Sequence, residues 1–333
     1  MYDPEEFYHV HIGEIFQSNY KDLKTAEFRT VKVCTRHKEG TAGGNCVEDR
    51  AYKQMALIGS EHEGAGYIRS LHNTFKIKGP GGKHCCFVFQ PMHISIQELR
   101  RYKHDAEGTK FMMNWVLHNL LHAMIYLHEE ARIVHADIHA GNVMLTVKDP
   151  TILKDFEQAE LEDPLPAKVI DATRTVYTSR KIRPPNEQQL GYPVLCDFGS
   201  ARIGEQQTGL IQPELYRAPE VLFSLPWSYS ADIRNLGVFM WDLVEDKRLF
   251  DPRDDQEHDM EIYHAAEMIA YLGQSSLEFV RRGNITRLPM DVKGKWKDPF
   301  GIKVPQTCLE DAAKVFEGAE KSDFLEFLRM MLK

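Results

Sequence analysis

The sequence predicts an α+β fold in two lobes, a small strand-rich lobe followed by a large, mainly helical one. Three observations carry this expectation. Short runs rich in β-branched and aromatic residues occupy the stretch up to Met92. Helical periodicity takes over beyond it, and the segment from Asp232 to Val244 is apolar on almost every side, which demands burial inside a large body. With 333 residues, 43% of them hydrophobic, the chain can bury such a core and is too apolar for wholesale disorder.

Taken in order, Val31 to Cys34 and Cys86 to Phe89 read as strands. Thr41-Ala42-Gly43-Gly44-Asn45 is a loop, and Glu48 to Ile58 has helical composition after it. Gly79-Pro80-Gly81-Gly82 marks a turn before the second strand. Leu117, Leu120, Leu121, Met124 and Leu127 recur at helical spacing, predicting an amphipathic helix over 110–130. From Asp149 to Gly191 the chain turns polar, and Pro164, Pro166, Pro184 and Pro185 interrupt regular elements, so this stretch reads as an insertion. The organisation expected is an N-terminal extension over 1–19, a first lobe over 20–92 and a second lobe over 93–333 carrying the insertion at about 149–191.

Composition narrows the function. A net charge of −8 argues against a broad nucleic-acid or anionic-membrane surface and suits a basic protein partner. The opening Met1 to Glu6 is acidic, unlike a signal peptide, and no run approaches the ~18 apolar residues of a membrane span. Six cysteines show no paired metal-ligand spacing, and vicinal Cys85-Cys86 lies in an apolar run where packing is favoured over bridging. A reducing compartment, cytoplasmic or nuclear, is the default expectation.

Chemistry concentrates in three segments. Ile133-Val134-His135-Ala136-Asp137-Ile138-His139-Ala140-Gly141-Asn142 sets a carboxylate and an amide five residues apart, just beyond the long helix. Alone, this is equally a polar turn capping its own backbone. Val194-Leu195-Cys196-Asp197-Phe198-Gly199 is an apolar strand that delivers a second carboxylate onto a Phe-Gly turn. Tyr216-Arg217-Ala218-Pro219-Glu220-Val221 follows at short range. Phosphoryl transfer needs a group to orient the attacking hydroxyl and oxygen ligands for a divalent metal, and this order supplies both.

These motifs resemble those of protein kinases over nearly the whole chain. The resemblance implies a two-lobed protein-kinase-like fold using ATP and Mg²⁺, with Asp137 as catalytic base and Asn142 and Asp197 as metal ligands. It assigns Lys32 to the α- and β-phosphates and Glu48, sixteen positions on (48 − 32), as its ion-pair partner. On composition alone either could be an ordinary surface charge. Phe89-Gln90-Pro91-Met92 resembles the hinge, with Phe89 as gatekeeper and the Met92 backbone facing adenine; Met144 would lie under the purine, and Asp232 would brace the catalytic loop. Within kinases the chain is most similar to SR-protein kinases, especially their shorter fungal relatives. The carriers are His11-Ile12-Gly13-Glu14-Ile15-Phe16, the insertion between Asn142 and Asp197, Tyr216-Arg217-Ala218-Pro219-Glu220, Pro226-Trp227-Ser228-Tyr229-Ser230 and Met240-Trp241-Asp242-Leu243. This similarity implies a monomeric serine/threonine kinase acting on basic serine/arginine-rich proteins.

Four departures stand against the pattern. No glycine occurs between Gly13 and Gly40, and only about ten residues separate Tyr20 from the lysine strand, so the glycine-rich phosphate loop is missing. His139 replaces the usual catalytic-loop lysine and can donate a hydrogen bond with less electrostatic stabilisation. Ala136 replaces the arginine that would receive an activation-loop phosphate, so activity is expected to be independent of phosphate on Thr208. The chain ends at Lys333, in what looks like a helix, before the usual final helix and the arginine that pairs with the Glu220 position. A catalytically weak pseudokinase serving as a binding or scaffold module is the second reading. A small-molecule phosphotransferase is the third, since His135 to His139 also resembles the aminoglycoside-kinase loop. The Tyr216 to Glu220 element, a platform for polypeptides, counts against that third reading.

Overall fold

Strand β1 (Thr30–Val33), helix α1 (Val47–Ile58) and strands β2 (Leu71–Gly79) and β3 (Gly82–Phe89) build the small lobe as an antiparallel sheet ordered β1-β3-β2, with α1 against one face. The computed structural model describes residues 6–11, 14, 16, 28–36, 46–79, 81–102, 105–252, 260–283 and 289–332. The stretch 17–27, where most of the missing glycine loop would fall, lies outside the described residues, as do Ile12, Gly13, Ile15 and the loop Thr41 to Asn45. Strand alternation sorts β3 cleanly. Cys85, Phe87 and Phe89 join the main core with Ala51 and Tyr52 of α1, whereas Cys86 and Val88 pack on the opposite face with Phe75. The vicinal cysteines therefore point apart and pack.

The chain leaves the small lobe through β4 (Met92–Ser95) and a short helix, α2 (Ile96–Leu99), started by a reciprocal capping box between Ser95 and Glu98. The long helix α3 runs Ala106–Ile125, capped by Asp105, whose carboxylate accepts from the Gly108 N–H at 2.8 Å. It begins before the expected 110–130 span and changes character before its end. Tyr126–Ala131 continues as a wider π-type turn that Arg132 closes at φ 55°. Val116, Leu120, Ala123 and Leu127 are wholly buried, as their spacing requires.

Strands β5 (Ile133–Val134) and β6 (Val143–Thr146) bracket the first chemical motif. The insertion is more ordered than its prolines suggest: it folds as helix α4 (Thr151–Glu162) and a hairpin of β7 (Ala167–Val169) and β8 (Thr175–Tyr177). Pro164 and Pro166 fall between helix and hairpin, where an interrupter is harmless. Gly191 returns the chain beside β6, so close that a Cβ there would sit 1.9 Å from the Thr146 carbonyl. β9 (Pro193–Leu195) then completes the sheet β4-β6-β9, and β10 (Arg202–Ile203) pairs with β5.

The large lobe continues through α5 (Pro219–Leu222), α6 (Ser230–Glu245), α7 (Met260–Leu272), α8 (Leu277–Arg281), α9 (Leu309–Ala312) and α10 (Gly318–Leu332). Helix α6 is buried along nearly its whole length, matching its all-round apolar sequence. Each fully buried side chain such as Phe239 or Trp241 contributes roughly 1.5–3 kcal/mol or more through burial. α10 lies across α6, with Phe324 stacked on Trp241 and Met331 and Leu332 seated over Gly237. Among the described residues no helix is long and apolar enough to cross a membrane.

Candidate active site

Two clusters face each other between the lobes. On the small-lobe side, strand β1 aims Lys32 at the first turn of α1. Its Nζ donates to Glu48 Oε2 at 2.8 Å and to Asp197 Oδ1 at 2.7 Å, so one ammonium ties three elements together. Burial alone would lower the lysine pKa, but Glu48 and Asp197 outweigh it and hold the ammonium above the ordinary lysine value. Burial pushes the Glu48 carboxyl up despite the Lys32 charge. Burial also acts to raise Asp197, but the Lys32 hydrogen bond and charge and the Gly199 N–H win, and its carboxyl lies below the usual range. Asp197 is thus an anion with a half-exposed side chain, fit to hold a divalent cation.

On the large-lobe side the turn between β5 and β6 carries Asp137, His139 and Asn142. The Asn142 amide nitrogen donates to the Asp137 carbonyl at 2.9 Å and to its Oδ2 at 3.0 Å. Both N–H groups are committed to Asp137, which leaves the amide oxygen for a cation. The His139 Nδ1 accepts from the Gly141 N–H at 3.1 Å, so its Nε2 carries the proton and faces Asp137 Oδ1 at 3.6 Å.

The loop is held in an unfavourable backbone geometry by its surroundings. Ala136 and Asp197 adopt φ 68° and 63°, each costing on the order of 1–3 kcal/mol for a side-chain-bearing residue. Asp232 at the start of α6 compensates for the first: its two carboxylate oxygens accept from the His135 and Ala136 N–H groups at 2.7 and 2.8 Å, with His128 Nε2 at 2.9 Å. His135 joins the two motifs. Its Nδ1 accepts from the Asp137 N–H at 3.3 Å and its Nε2–H donates to the Cys196 carbonyl at 3.1 Å, next to Asp197. Complete burial lowers the His135 pKa, so the ring stays neutral in this tautomer. Phe198, fully buried, packs edge-on against His135 and Tyr52, linking the turn to α1.

Phe89, Gln90 and Met92, which the sequence likens to a hinge, lie at the end of β3, in the link and at the start of β4. Phe89 is 1% exposed at the end of β3. Met92 and Met144 sit on the paired strands β4 and β6, registered Met92 with Thr146 and Ser95 with Met144. The Gln90 carbonyl accepts from Arg69 at 3.0 Å, and the same guanidinium lies 4.4 Å over the Phe89 ring. Arg69 was not legible as a site residue, because a lone arginine before a strand carries no pattern.

Gln212 was missed for the same reason, yet it takes up the position opposite Ala136. Its N–H donates to the Ala136 carbonyl at 3.2 Å, its side-chain amide donates to the Ala231 carbonyl at 2.9 Å and Asn235 Oδ1 at 2.5 Å, and its Oε1 accepts from the Ala218 N–H at 2.7 Å. The segment is fixed further by Tyr216, whose hydroxyl donates to Asp242 Oδ2 at 2.5 Å. Glu220 is buried beside Ser230 Oγ, 3.5 Å away, and its charge partly offsets the burial that lowers the Arg234 guanidinium to about 10.

Comparison with known proteins identifies the family and the fold. No family model matches the chain. A serine/threonine protein kinase of Aspergillus fumigatus is 33% identical over 100% of this chain and 84% of its own length. The serine/threonine-protein kinase SRPK of Physarum polycephalum is 24% identical over 87% of this chain and 75% of that protein, and the kinase AFC2 of Arabidopsis thaliana is 22% identical over 85% and 66%. A crystal structure of a kinase domain superposes with a TM-score of 0.63, covering 93% of this chain and 84% of that one at 19% identity, which shows the two-lobed fold. The pseudokinase alternative is not favoured by relatives that are themselves named kinases. The chain belongs to the serine/threonine protein kinases that use ATP, with SRPK- and AFC-type enzymes among its relatives.

Proposed function

We propose that the chain transfers the γ-phosphoryl group of MgATP to serine hydroxyls in basic, serine/arginine-rich proteins. The observation that carries this reading is the Lys32 ammonium bonded at once to Glu48 and Asp197, beside an Asp137 whose carboxylate is fixed by Asn142. Asp137 accepts or orients the proton of the attacking hydroxyl, and Lys32 holds the α- and β-phosphates against the small lobe. The amide oxygen of Asn142 and the carboxylate of Asp197 are the donors for Mg²⁺, which would neutralise charge on the transferring phosphates. His139 directs its Nε2–H toward Asp137 and the transferring group, a weaker aid than a fixed ammonium. Met92 and Met144 receive the adenine, and Phe89 closes the back of its slot.

Two features support a basic substrate. The net charge is −8, and the activation segment exposes Glu205 and Glu214 on either side of Gln212. The test is phosphate incorporation from radiolabelled ATP into three peptides of equal serine content, one arginine-rich, one neutral and one acidic. Preference for the arginine-rich peptide supports the reading; equal or reversed preference removes the substrate assignment and leaves the kinase. The proposed compartment is the cytoplasm or nucleus, checked by imaging the tagged chain.

A further inference from the structure

Among the described residues, one pair of reactive side chains beside the site, Cys34 and Cys46, is unused by the mechanism. Cys34 follows β1 two positions after Lys32, and Cys46 precedes α1 two positions before Glu48. The two sulfur atoms and a Glu48 carboxylate oxygen lie within 4.8 Å of one another, and both cysteines are half-buried, within reach of small solutes. We propose that Cys34 and Cys46 form a reversible disulfide, a redox modification site that fastens β1 to the N-terminus of α1 beside the Lys32–Glu48 ion pair.

The two thiols are unequal in the way such a step needs. The Cys34 thiol beside it, together with the Glu48 and Asp49 N–H groups at the start of α1, pulls the Cys46 pKa down against burial, so Cys46 is the nucleophile. The same contact, with burial, pushes Cys34 up and makes it the resolving thiol. Burial also raises Cys85, which backs the pair through its carbonyl to the Cys34 N–H at 2.9 Å. With hydrogen peroxide as oxidant, the Cys46 thiolate attacks one peroxide oxygen, the O–O bond breaks, and hydroxide leaves to take up a proton as water. Cys46 is then a sulfenic acid, oxidised by two electrons while the peroxide is reduced. The Cys34 sulfur displaces the sulfenic hydroxyl, the S–S bond forms, and the thiol proton leaves with that hydroxyl as a second water. Two thiols and one peroxide give one disulfide and two waters.

The same three groups are less suited to a metal. Glu48 already holds Lys32 at 2.8 Å, and a dication among them would face that ammonium at close range. A disulfide needs only the two sulfurs. Its effect follows from position, because strand alternation puts Lys32 and Cys34 on one side of β1 and Cys46 leads directly into the turn that carries Glu48. The bridge therefore fixes the same two elements that the ion pair joins, and it leaves the pair closed.

The experiment oxidises the purified, reduced chain with hydrogen peroxide at neutral pH, traps remaining thiols by alkylation, and maps peptides without reduction. The expected first product is a Cys34–Cys46 cross-linked peptide two hydrogens lighter, restored by a dithiol reductant. In Cys34→Ser the reaction stops at a Cys46 sulfenic acid that a carbon nucleophile labels, and in Cys46→Ser the Cys34 thiol survives. Hydrogen exchange of the α1 amides slows by about tenfold or more in the oxidised wild type and is unchanged by peroxide in either variant. First oxidation at Cys85, Cys86, Cys196 or Cys308, or a bridge that leaves α1 exchange unaltered, would overturn the proposal. So would protection of both thiols by one equivalent of Zn²⁺ before oxidant is added, which would make the cluster a metal site. None of these readouts depends on phosphoryl transfer, so the outcome is independent of the assigned substrate.

Discussion

At the scale of single residues, two carboxylates of the site are held by different partners. Asp137 is fixed by Asn142 and faces His139, while Asp197 is held by Lys32 and the Gly199 N–H. The two should fail differently. Asp137→Ala is expected to reduce turnover by about 10²–10⁴-fold with nucleotide binding retained, the span general-base catalysis supplies. Asp197→Ala should instead remove the metal-dependent part of nucleotide affinity, read by titration with and without Mg²⁺. His139→Lys replaces a directed N–H by a full ammonium at the same point and is expected to raise kcat; an unchanged or lower kcat would show that the imidazole is needed for Asp137 geometry.

At the scale of elements, Gln212 ties down the segment that leads into Tyr216 to Glu220. Ala136 offers no guanidinium, and Thr208 is exposed. Gln212 substitutes with four hydrogen bonds to the catalytic loop, the platform and α6. Each is worth about 0.5–1.5 kcal/mol net, and a buried partner left unmade costs more. Gln212→Ala is therefore expected to lower kcat by about tenfold or more, whereas Thr208→Ala and phosphatase treatment leave the rate within twofold. Strong loss on phosphatase treatment would mean that a phosphate, and not Gln212, orders the segment. The elements also show what sequence can reveal. α6 was legible because its apolar residues run all round, and α3 because Leu117, Leu120, Leu121 and Met124 repeat at helical spacing. α4 was hidden by its own surface: Lys154, Asp155, Glu157 and Gln158 are exposed, and only Ile152 is fully buried. Ile152, Phe156 and Ala159 did keep the helical interval, behind the helix-starting Asp149, whose carboxylate accepts from the Thr151 N–H.

At the scale of the whole molecule, the motifs were legible where local spacing encodes the chemistry, as in Asp137 with Asn142 and in Asp197-Phe198-Gly199. Residues brought in from afar were not. Gln212 and Arg69 lie in no motif and are defined only by the partners the fold brings to them; Asp242 falls within Met240-Trp241-Asp242-Leu243, but its bond to Tyr216, 26 positions away, is visible only in the fold. Asp242 gives the fold a pH signature. Burial raises its carboxyl to about 6 even though the Tyr216 hydroxyl and the Leu249 N–H pull the other way. An unfolded aspartate titrates near ~3.9. The stability this group adds is therefore complete below about pH 4 and is lost as pH rises through about 6, a change on the order of 2–3 kcal/mol. Buried His264, lowered to about 3, works in the opposite direction over acid pH, so the comparison must be made against a variant. Urea melts of wild type and Asp242→Asn from pH 4 to 7 should show the variant gaining on the wild type as pH rises. Parallel curves would mean the carboxyl is not shifted.

The proposed chemistry rests on one ammonium, two carboxylates and an amide assembled between the lobes to transfer phosphate from ATP to a protein hydroxyl. The most direct measurement is single-turnover transfer of labelled γ-phosphate to a serine/arginine-rich peptide, run with wild type and Asp137→Ala at equal, saturating MgATP. The expected result is labelled phosphoserine with the wild type and about 10²–10⁴-fold slower transfer with the variant, both proteins melting at the same temperature. Equal rates in the two, or nucleotide binding by the wild type with no labelled peptide, would contradict it.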